Sequence, residues 1–577
     1  MPLTDAYEWI KTNTPQDIMN ENPYSNYQYN YINDINSGIY QNSSLTLIQH
    51  DLSSIFNSSV WTNTASHFLV IPIVRTCEAF ATNNHVNLTD KDFYLTSIKN
   101  GNASLIHQID MQINGSVVQQ LSPFHGIWSN IKLASELSDD DLNLMGASLG
   151  LLELDNPNSM TYQTTATNYY STPGIANNYV NGTPYLTVNS ATVTAGQTPG
   201  SGLSNGAIQR KILLNKILST ASRQNLSAIN NSTSAQSEFL PSFEISSSGV
   251  AIWKDYCIIF MKDIVDAMNH IGMVRRLDGI LRIYVNTGFV SCGGFTNGQM
   301  IFDPQYSTFS DVCPLMINNI SNSLTSTDSI PAATVTSLNC GLFVARPPNY
   351  TFVGYGGNGS SNFSTTPGSA SAMVASRYYF NQITVNPSLA LEYMSANNNK
   401  EVIYDSMLYN TFVNIGQGAN FSQLIQSGIS NIKAILIMPL ISKSQIGFSG
   451  FSSPFDPCGG MGGHPISLTN LQIAVGGTNQ FSTSLSYTFE TFVEQLSKFN
   501  KQSSSEYGVE SGLWSYQYWL NNRLYLCNVR STEDDLNTPR NVTISFKNNS
   551  LVAIDIIVFC VYDTKLTINV STGIVSK

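Results

Sequence analysis

The residues of this chain that could do chemistry are few and far apart. Its 577 residues include seven histidines, at 50, 67, 85, 107, 125, 270 and 464, and eight cysteines, at 77, 257, 292, 313, 340, 458, 527 and 560. A zinc or hydrolytic site needs convergent ligands, which show as HxH, HExxH or CxxC spacings, and none of these is present. The nearest approach is "PFDPCGGMGGHP" at 454–465, with Cys458 six residues before His464. Cysteine–histidine nucleophile pairs are set in space, so proximity in sequence proves nothing. The glycines there lack the Lys-Ser/Thr that completes a phosphate loop, and the stretch reads as a loop crossing between strands.

The carboxylates give no better site. Asp139-Asp140-Asp141 and Glu533-Asp534-Asp535 lack the alternating spacing of a calcium loop and read as solvated turns or helix starts. No GxSxG stands beside a triad, and acids are scarce in the strand-like runs, which weighs against the facing carboxylates of a glycoside-processing enzyme. Cys257 in "DYCIIF" and Cys560 in "IIVFCVY" lie in apolar runs and read as buried free thiols rather than a disulfide or metal framework. Sequons such as Asn102-Ala-Ser are expected by chance in an Asn/Ser/Thr-rich chain. The reading therefore assigns no catalytic, cofactor-binding or metal residue, and no cofactor.

With so little to position, the elements themselves become the subject. Charged residues are 11% of the chain against 42% hydrophobic and 11% aromatic, less than half the usual charged share of about a quarter. Polarity carried by Asn, Ser, Thr and Gln suits an all-β protein with long loops and argues against helical bundles. A formal net charge of −11 opposes direct genome packaging or binding to anionic membranes, which want clustered Lys and Arg. The N-terminal residues show no basic stretch followed by an apolar one, and the apolar run at 551–562 is too short to span a bilayer and contains Asp555. The chain reads as soluble at synthesis, with no transmembrane segment.

One grammar occurs twice. In "IDMQINGSVVQQLSPFHGIWSNIKL" at 109–133, Ile109, Met111 and Ile113 alternate along a strand, Asn114-Gly115 turns, and Phe124, Ile127, Trp128 and Ile131 form an i, i+3, i+4, i+7 helical stripe. Ser122 reads as the helix N-cap with Pro123 at its first position. In "LQIAVGGTNQFSTSLSYTFETFVEQL" at 471–496, Leu471, Ile473 and Val475 alternate, Gly476-Gly477 turns, and Phe489, Phe492, Val493 and Leu496 form the stripe. Upstream, "FLVIPIVRT" at 68–76 corresponds to "AILIMPLIS" at 434–442, each with a proline inside the apolar run. Downstream, a short helix (Ile264, Val265, Met268, Ile271) and alternating Leu281, Ile283 and Val285 close the first copy, and Val542, Ile544 and Phe546 with a last long strand close the second. Three matched elements in one order mark an internal duplication.

The reading divides the chain into an N-terminal arm (1–30), a first unit (31–345) with a long insertion at about 155–240, a linker (346–375) rich in Pro, Gly and Ser, and a second unit (376–577). A helix is expected at about 207–219. The insertion is read as the main difference between the copies.

At the residue level, "NIGQGANFSQLIQSGISNIKAILIMPLIS", "FSSPFDPCGG", "LTNLQIAVGGTNQF" and "RLYLCNVRSTEDDLNTPRNVTISFKNNSLVAIDIIVFCVYD" resemble the second jelly roll of major capsid proteins from virophages and polinton-like viruses. "MKDIVDAMNHIGMVRRLDGILRIYVNTG" resembles the end of the first. The resemblance covers most of 40–570. It implies two tandem jelly-roll β-sandwiches with short helices after central strands, and a homotrimer forming a pseudo-hexagonal capsomer of an icosahedral shell. It also implies trimer–trimer lattice contacts, penton and minor capsid protein partners, no sequence-specific nucleic-acid binding and a place in the virion. The insertion would form an outward tower or clasp neighbours. The rival class is a surface adhesin or carbohydrate-binding β-sandwich protein, which shares this composition but normally carries an export signal.

Overall fold

The structure, a computed structural model, describes most of 24–150 and 242–576. Outside the described residues lie 1–23, 87–95, 151–241, 294–307, 318–336, 352–361, 443–465, 501–510 and 530–537, with shorter breaks elsewhere. The long insertion, the helix expected at 207–219, Cys458 with His464, and Glu533-Asp534-Asp535 all fall there.

Among the described residues the first half is framed by β1 (Tyr24–Asn33), β2 (Leu45–Asp51), β3 (Phe68–Ala81), β4 (Ile106–Ile113), β5 (Ser116–Gln120), β6 (Ala251–Phe260), β7 (Gly279–Asn286) and, after a further strand β8 (Ser337–Val344), β9 (Arg377–Val385), with shorter strands added beside them. One sheet contains the order β1-β9-β3-β6 and the other is β2-β7-β4-β5. The second half repeats this with β10 (Lys400–Ile415), β11 (Asn420–Ile429), β12 (Ile432–Ile441), β13 (Leu468–Val475), β14 (Thr478–Asn479), β15 (Tyr525–Asn528), β16 (Arg540–Asn548) and β17 (Ile554–Ile568). Its sheets are β10-β17-β12-β15 and β11-β16-β13-β14.

Leaving β8 aside and counting strands within each half, both halves read first–eighth–third–sixth in one sheet and second–seventh–fourth–fifth in the other. That order, in antiparallel pairs, is the jelly roll. The fold is two tandem jelly rolls, and the duplication read from sequence pairs the elements correctly: third strand with third, fourth with fourth, seventh with seventh.

The local causes repeat as well. Ile109, Met111 and Ile113 on β4, and Leu471, Ile473 and Val475 on β13, are all buried, because alternate side chains share one face of a strand. Both following turns have positive φ at two successive residues, Asn114 and Gly115, then Gly476 and Gly477, which matches the twist of a two-residue hairpin. The prolines inside the third strands fall where one neighbour is missing. Pro72 lies where β3 passes from β9, paired at 68–70, to β8, paired at 73–80, and Pro439 lies beyond the reach of β15, which stops at Ile437. A residue without an N–H is tolerated where no ladder bond is required of it.

The helices α1 (His125–Glu136) and α6 (Phe489–Asn500) follow these turns, with α2 (Asp139–Leu149), α3 (Met261–Ile264), α4 (Asp266–Ile271), α5 (Pro387–Ala396) and α7 (Tyr516–Asn521) elsewhere. Ile127, Trp128 and Ile131 of α1, and Phe492 and Leu496 of α6, are buried as the stripes require. The N-cap reading fails: α1 begins at His125, its N-cap is Phe124 in the left-handed region (φ 65°), and no side chain caps it. Packing decides this start, because Phe124 stacks edge-on against His107 and Tyr409 at 5.6 and 5.7 Å.

Two elements lie elsewhere than the sequence reading puts them. Residues 24–30, assigned to the arm, belong to β1, which pairs along its length with β9. Strand β9, assigned to the second unit, is the eighth strand of the first, held by β1 and β3. An excursion over 287–376, which includes β8, separates it from β7. The first copy thus departs from the second at two places, not one.

Candidate functional site

The sequence-selected residues do not converge on a reaction centre. His50, His67 and His125 are buried; burial lowers His50 and His125 to about 4 and His67 to about 3, so each is neutral at pH 7. The hydrogen bonds of His67 show a structural role. Thr62 Oγ1 donates to Asn381 Oδ1 at 3.0 Å, so it accepts from His67 Nε2 at 2.6 Å. The other ring nitrogen, Nδ1, then accepts from Tyr378 OH at 2.7 Å. This buried chain ties the segment 62–67, just before β3, to β9. His125 Nε2 donates to the Ile264 carbonyl at 2.6 Å, joining α1 to α3.

Asp139, Asp140 and Asp141 form the first turn of α2. Ser138 Oγ accepts from the Asp141 N–H at 3.2 Å, while Asp141 Oδ2 accepts from the Ser138 N–H at 3.2 Å and its hydroxyl at 2.7 Å. This reciprocal capping box places acids at the positive end of a helix, and these bonds hold the Asp141 carboxyl below its ordinary range. The six described cysteines, Cys77, Cys257, Cys313, Cys340, Cys527 and Cys560, are buried free thiols. Among the described residues no group of three or more His, Cys, Asp or Glu is placed to hold a metal ion, and no helix is long and apolar enough to cross a membrane.

What the fold does assemble is a seam between the sandwiches. Trp128 of α1 meets Phe499 of α6 and Phe559 of β17, with ring centroids 5.9 and 6.3 Å apart. One continuous apolar cluster takes in Ile71 and Ile283 of the first sandwich with Ile435 and Val558 of the second. The chain end crosses back: Val575 and Gly573 carbonyls accept from Ser116 Oγ and Asn114 Nδ2 on the β4–β5 hairpin, and Val570 O accepts from Arg275 N at 3.1 Å.

Beside this apolar contact lies a cleft of about 630 Å³ lined by Lys132, Glu136, Asp263, Asp266, Asp405 and Lys433, among others. Lys132 Nζ stands 2.9 Å from Asp266 and 3.9 Å from Asp405; Lys433 Nζ stands 2.6 Å from Asp405 and 3.8 Å from Asp563. Asp266 Oδ2 also accepts from the Asp405 backbone N–H at 2.8 Å. Burial alone would raise the Asp266 carboxyl, but hydrogen bonds from His270 and Lys132 and the Lys132 charge hold it well below the ordinary range. Burial dominates at Asp263, which rises to about 6. Each lysine answers carboxylates drawn from different elements, so the cluster fixes one sandwich against the other. No sequence motif announces it, since its members come from separate stretches, 132–136, 263–266, 405–433 and Asp563, each more than a hundred residues from the next.

Neither the protein-family models nor the curated proteins contain a match to this chain. Among solved structures it is similar to the cryo-EM structure of the Sputnik virophage, with 11% identity, TM-score 0.46, and coverage of 98% of this chain and 91% of that one. It is also similar to the mavirus major capsid protein (10%, TM-score 0.42, covering 98% and 93%) and the PBCV-1 virus capsid (8%, TM-score 0.36, covering 96% and 98%). The class rests on its own strand order: this is a double jelly-roll protein.

Proposed function

We propose that this chain is a viral major capsid protein, a structural subunit and not an enzyme. Three copies would form a pseudo-hexagonal capsomer, and capsomers would tile an icosahedral shell. The observation that supports this reading is the doubling itself: two sandwiches of identical strand order, fixed side by side by a shared core and a charged seam. A closed ring of three such chains presents six similar sandwiches around its axis, so one gene product fills a hexagonal lattice.

The surface suits such contacts. On β1, an edge of its sheet, Tyr27, Tyr29 and Tyr31 are 38%, 47% and 48% exposed, and tyrosine is a favoured interface residue because it buries area at low entropic cost. Penton and minor capsid proteins are the further partners this role requires, and the net charge of −11 suits a shell wall rather than a genome-binding face. The division between the sandwiches falls between β9 and β10. Electron microscopy of the purified protein at rising concentration tests the reading: hexagonal outlines and curved sheets or shells are expected, and a field of isolated two-lobed particles at every concentration would refute it.

A further inference from the structure

We infer that Cys77 and Cys340 form an oxidation site, a thiol pair that closes to a cross-strand disulfide when a small peroxide reaches it, tying β3 to the excursion strand β8. Cys340 stands directly opposite Cys77 in the antiparallel register of these strands. Their sulfurs are 3.4 Å apart, and both side chains are buried free thiols, 5% and 1% exposed. Residues opposite one another in an antiparallel pair have Cα atoms about 4.5–5.5 Å apart, inside the range of about 4.4–6.8 Å that disulfides span. Closing the sulfurs to about 2.05 Å therefore asks for side-chain rotation rather than backbone movement.

The chemistry balances with hydrogen peroxide as oxidant. One cysteine sulfur attacks the peroxide, forming S–O and breaking O–O, and the first water leaves. The second cysteine sulfur then displaces the hydroxyl of that sulfenic acid, forming S–S and releasing the second water. Two thiols lose two electrons and two protons, and the peroxide becomes two waters. Burial makes opening of the β3–β8 ladder the slow step.

The consequence is mechanical. β8 lies within the excursion over 287–376, outside the eight-strand order, and is held to the first sheet by β3. A bond there closes a very long loop, the case in which a cross-link constrains the unfolded chain most. Thiols stay reduced inside cells and pair outside them. On the capsid reading the staple would set after release, but the chemistry stands without that reading.

The full-length protein, reduced and desalted, is treated with excess hydrogen peroxide. It is then denatured with N-ethylmaleimide and digested with chymotrypsin, which separates Cys340 from Cys292 and Cys313. Mass spectrometry is expected to find a Cys77–Cys340 linked peptide two hydrogens lighter than its parts. The Tm is expected to rise by about 5 °C and to fall back with dithiothreitol, with neither effect in Cys340→Ala. Recovery of both thiols as maleimide adducts, as sulfinic or sulfonic acids, or joined to other cysteines would overturn the inference, and the wild-type peptide map decides it even where the variant fails to fold. None of these outcomes bears on whether the protein builds a shell.

Discussion

The two sandwiches share one order of eight strands but differ in how it is connected. In the second, β16 runs into β17 within a few residues, and described helices fill much of the span from β14 to β15. In the first, residues 121–250 separate β5 from β6, and residues 287–376, which include β8, separate β7 from β9. Strand order is held by the buried faces, since a misplaced strand turns apolar side chains to solvent. Connections lie outside that constraint and lengthen at little thermodynamic cost.

The sharpest way to break the comparison is at the matched helices. Trp128 of α1 corresponds to Val493 of α6, and the Trp128 ring reaches across to the other sandwich at Phe499 and Phe559. Trp128→Ala should cost about 4 kcal/mol in denaturant unfolding, and Val493→Ala, half-buried, about 1–2 kcal/mol. Equal losses would mean that the seam does not depend on this ring.

Gly126 corresponds to Thr491. A Cβ on Gly126 would lie 2.0 Å from the Ala103 carbonyl oxygen and 2.5 Å from that of Ile106, so α1 packs against backbone where α6 leaves room for a threonine. Gly126→Val should destabilise by about 3 kcal/mol, and Thr491→Val by under about 1 kcal/mol, read as shifts in the unfolding midpoint.

The seam charges predict a pH dependence with two opposing parts. Asp266 is depressed in the folded state, so its contribution is present above the ordinary carboxylate range and is lost as pH falls through and below about 4. Asp263 is raised to about 6, so it costs stability increasingly as pH rises from about 4 to 6, and the cost persists above. Asp266→Asn should flatten the acid limb of a Tm–pH profile, and Asp263→Asn should raise stability at pH 7 by about 1 kcal/mol after solvent screening. Profiles identical to wild type would remove the seam from the account of stability.

At the small end, Lys565 and Glu401 pair at 2.8 Å between neighbouring strands of the second sandwich, with both side chains more than half exposed. Glu401→Gln should change stability by less than about 0.5 kcal/mol. A loss as large as that from a seam variant would erase the distinction between buried and surface charge.

Legibility followed the same division between buried pattern and everything else. β3, β4, β7, β12, β13 and β16, with both helical stripes, were readable because burial writes a period into the residues. β1 was missed because its Tyr, Asn and Gln residues carry no apolar face, and its tyrosines are exposed in the single chain. β9 was assigned to the wrong copy because the excursion over 287–376 hides its partnership with β1 and β3. The seam was invisible: Lys132, Asp266, Asp405 and Lys433 meet only because two sandwiches fold side by side. The start of α1 was misread because Pro123 and Ser122 imitate a cap while aromatic packing at Phe124 sets the geometry.

The central claim is that the doubled sandwich is a subunit of a three-fold ring. Light scattering on the native protein after size exclusion, at low and high salt, tests it most directly. The account predicts a salt-resistant species of three times the 63.2 kDa chain mass, about 190 kDa. A clean monomer at 63.2 kDa at every concentration would contradict it.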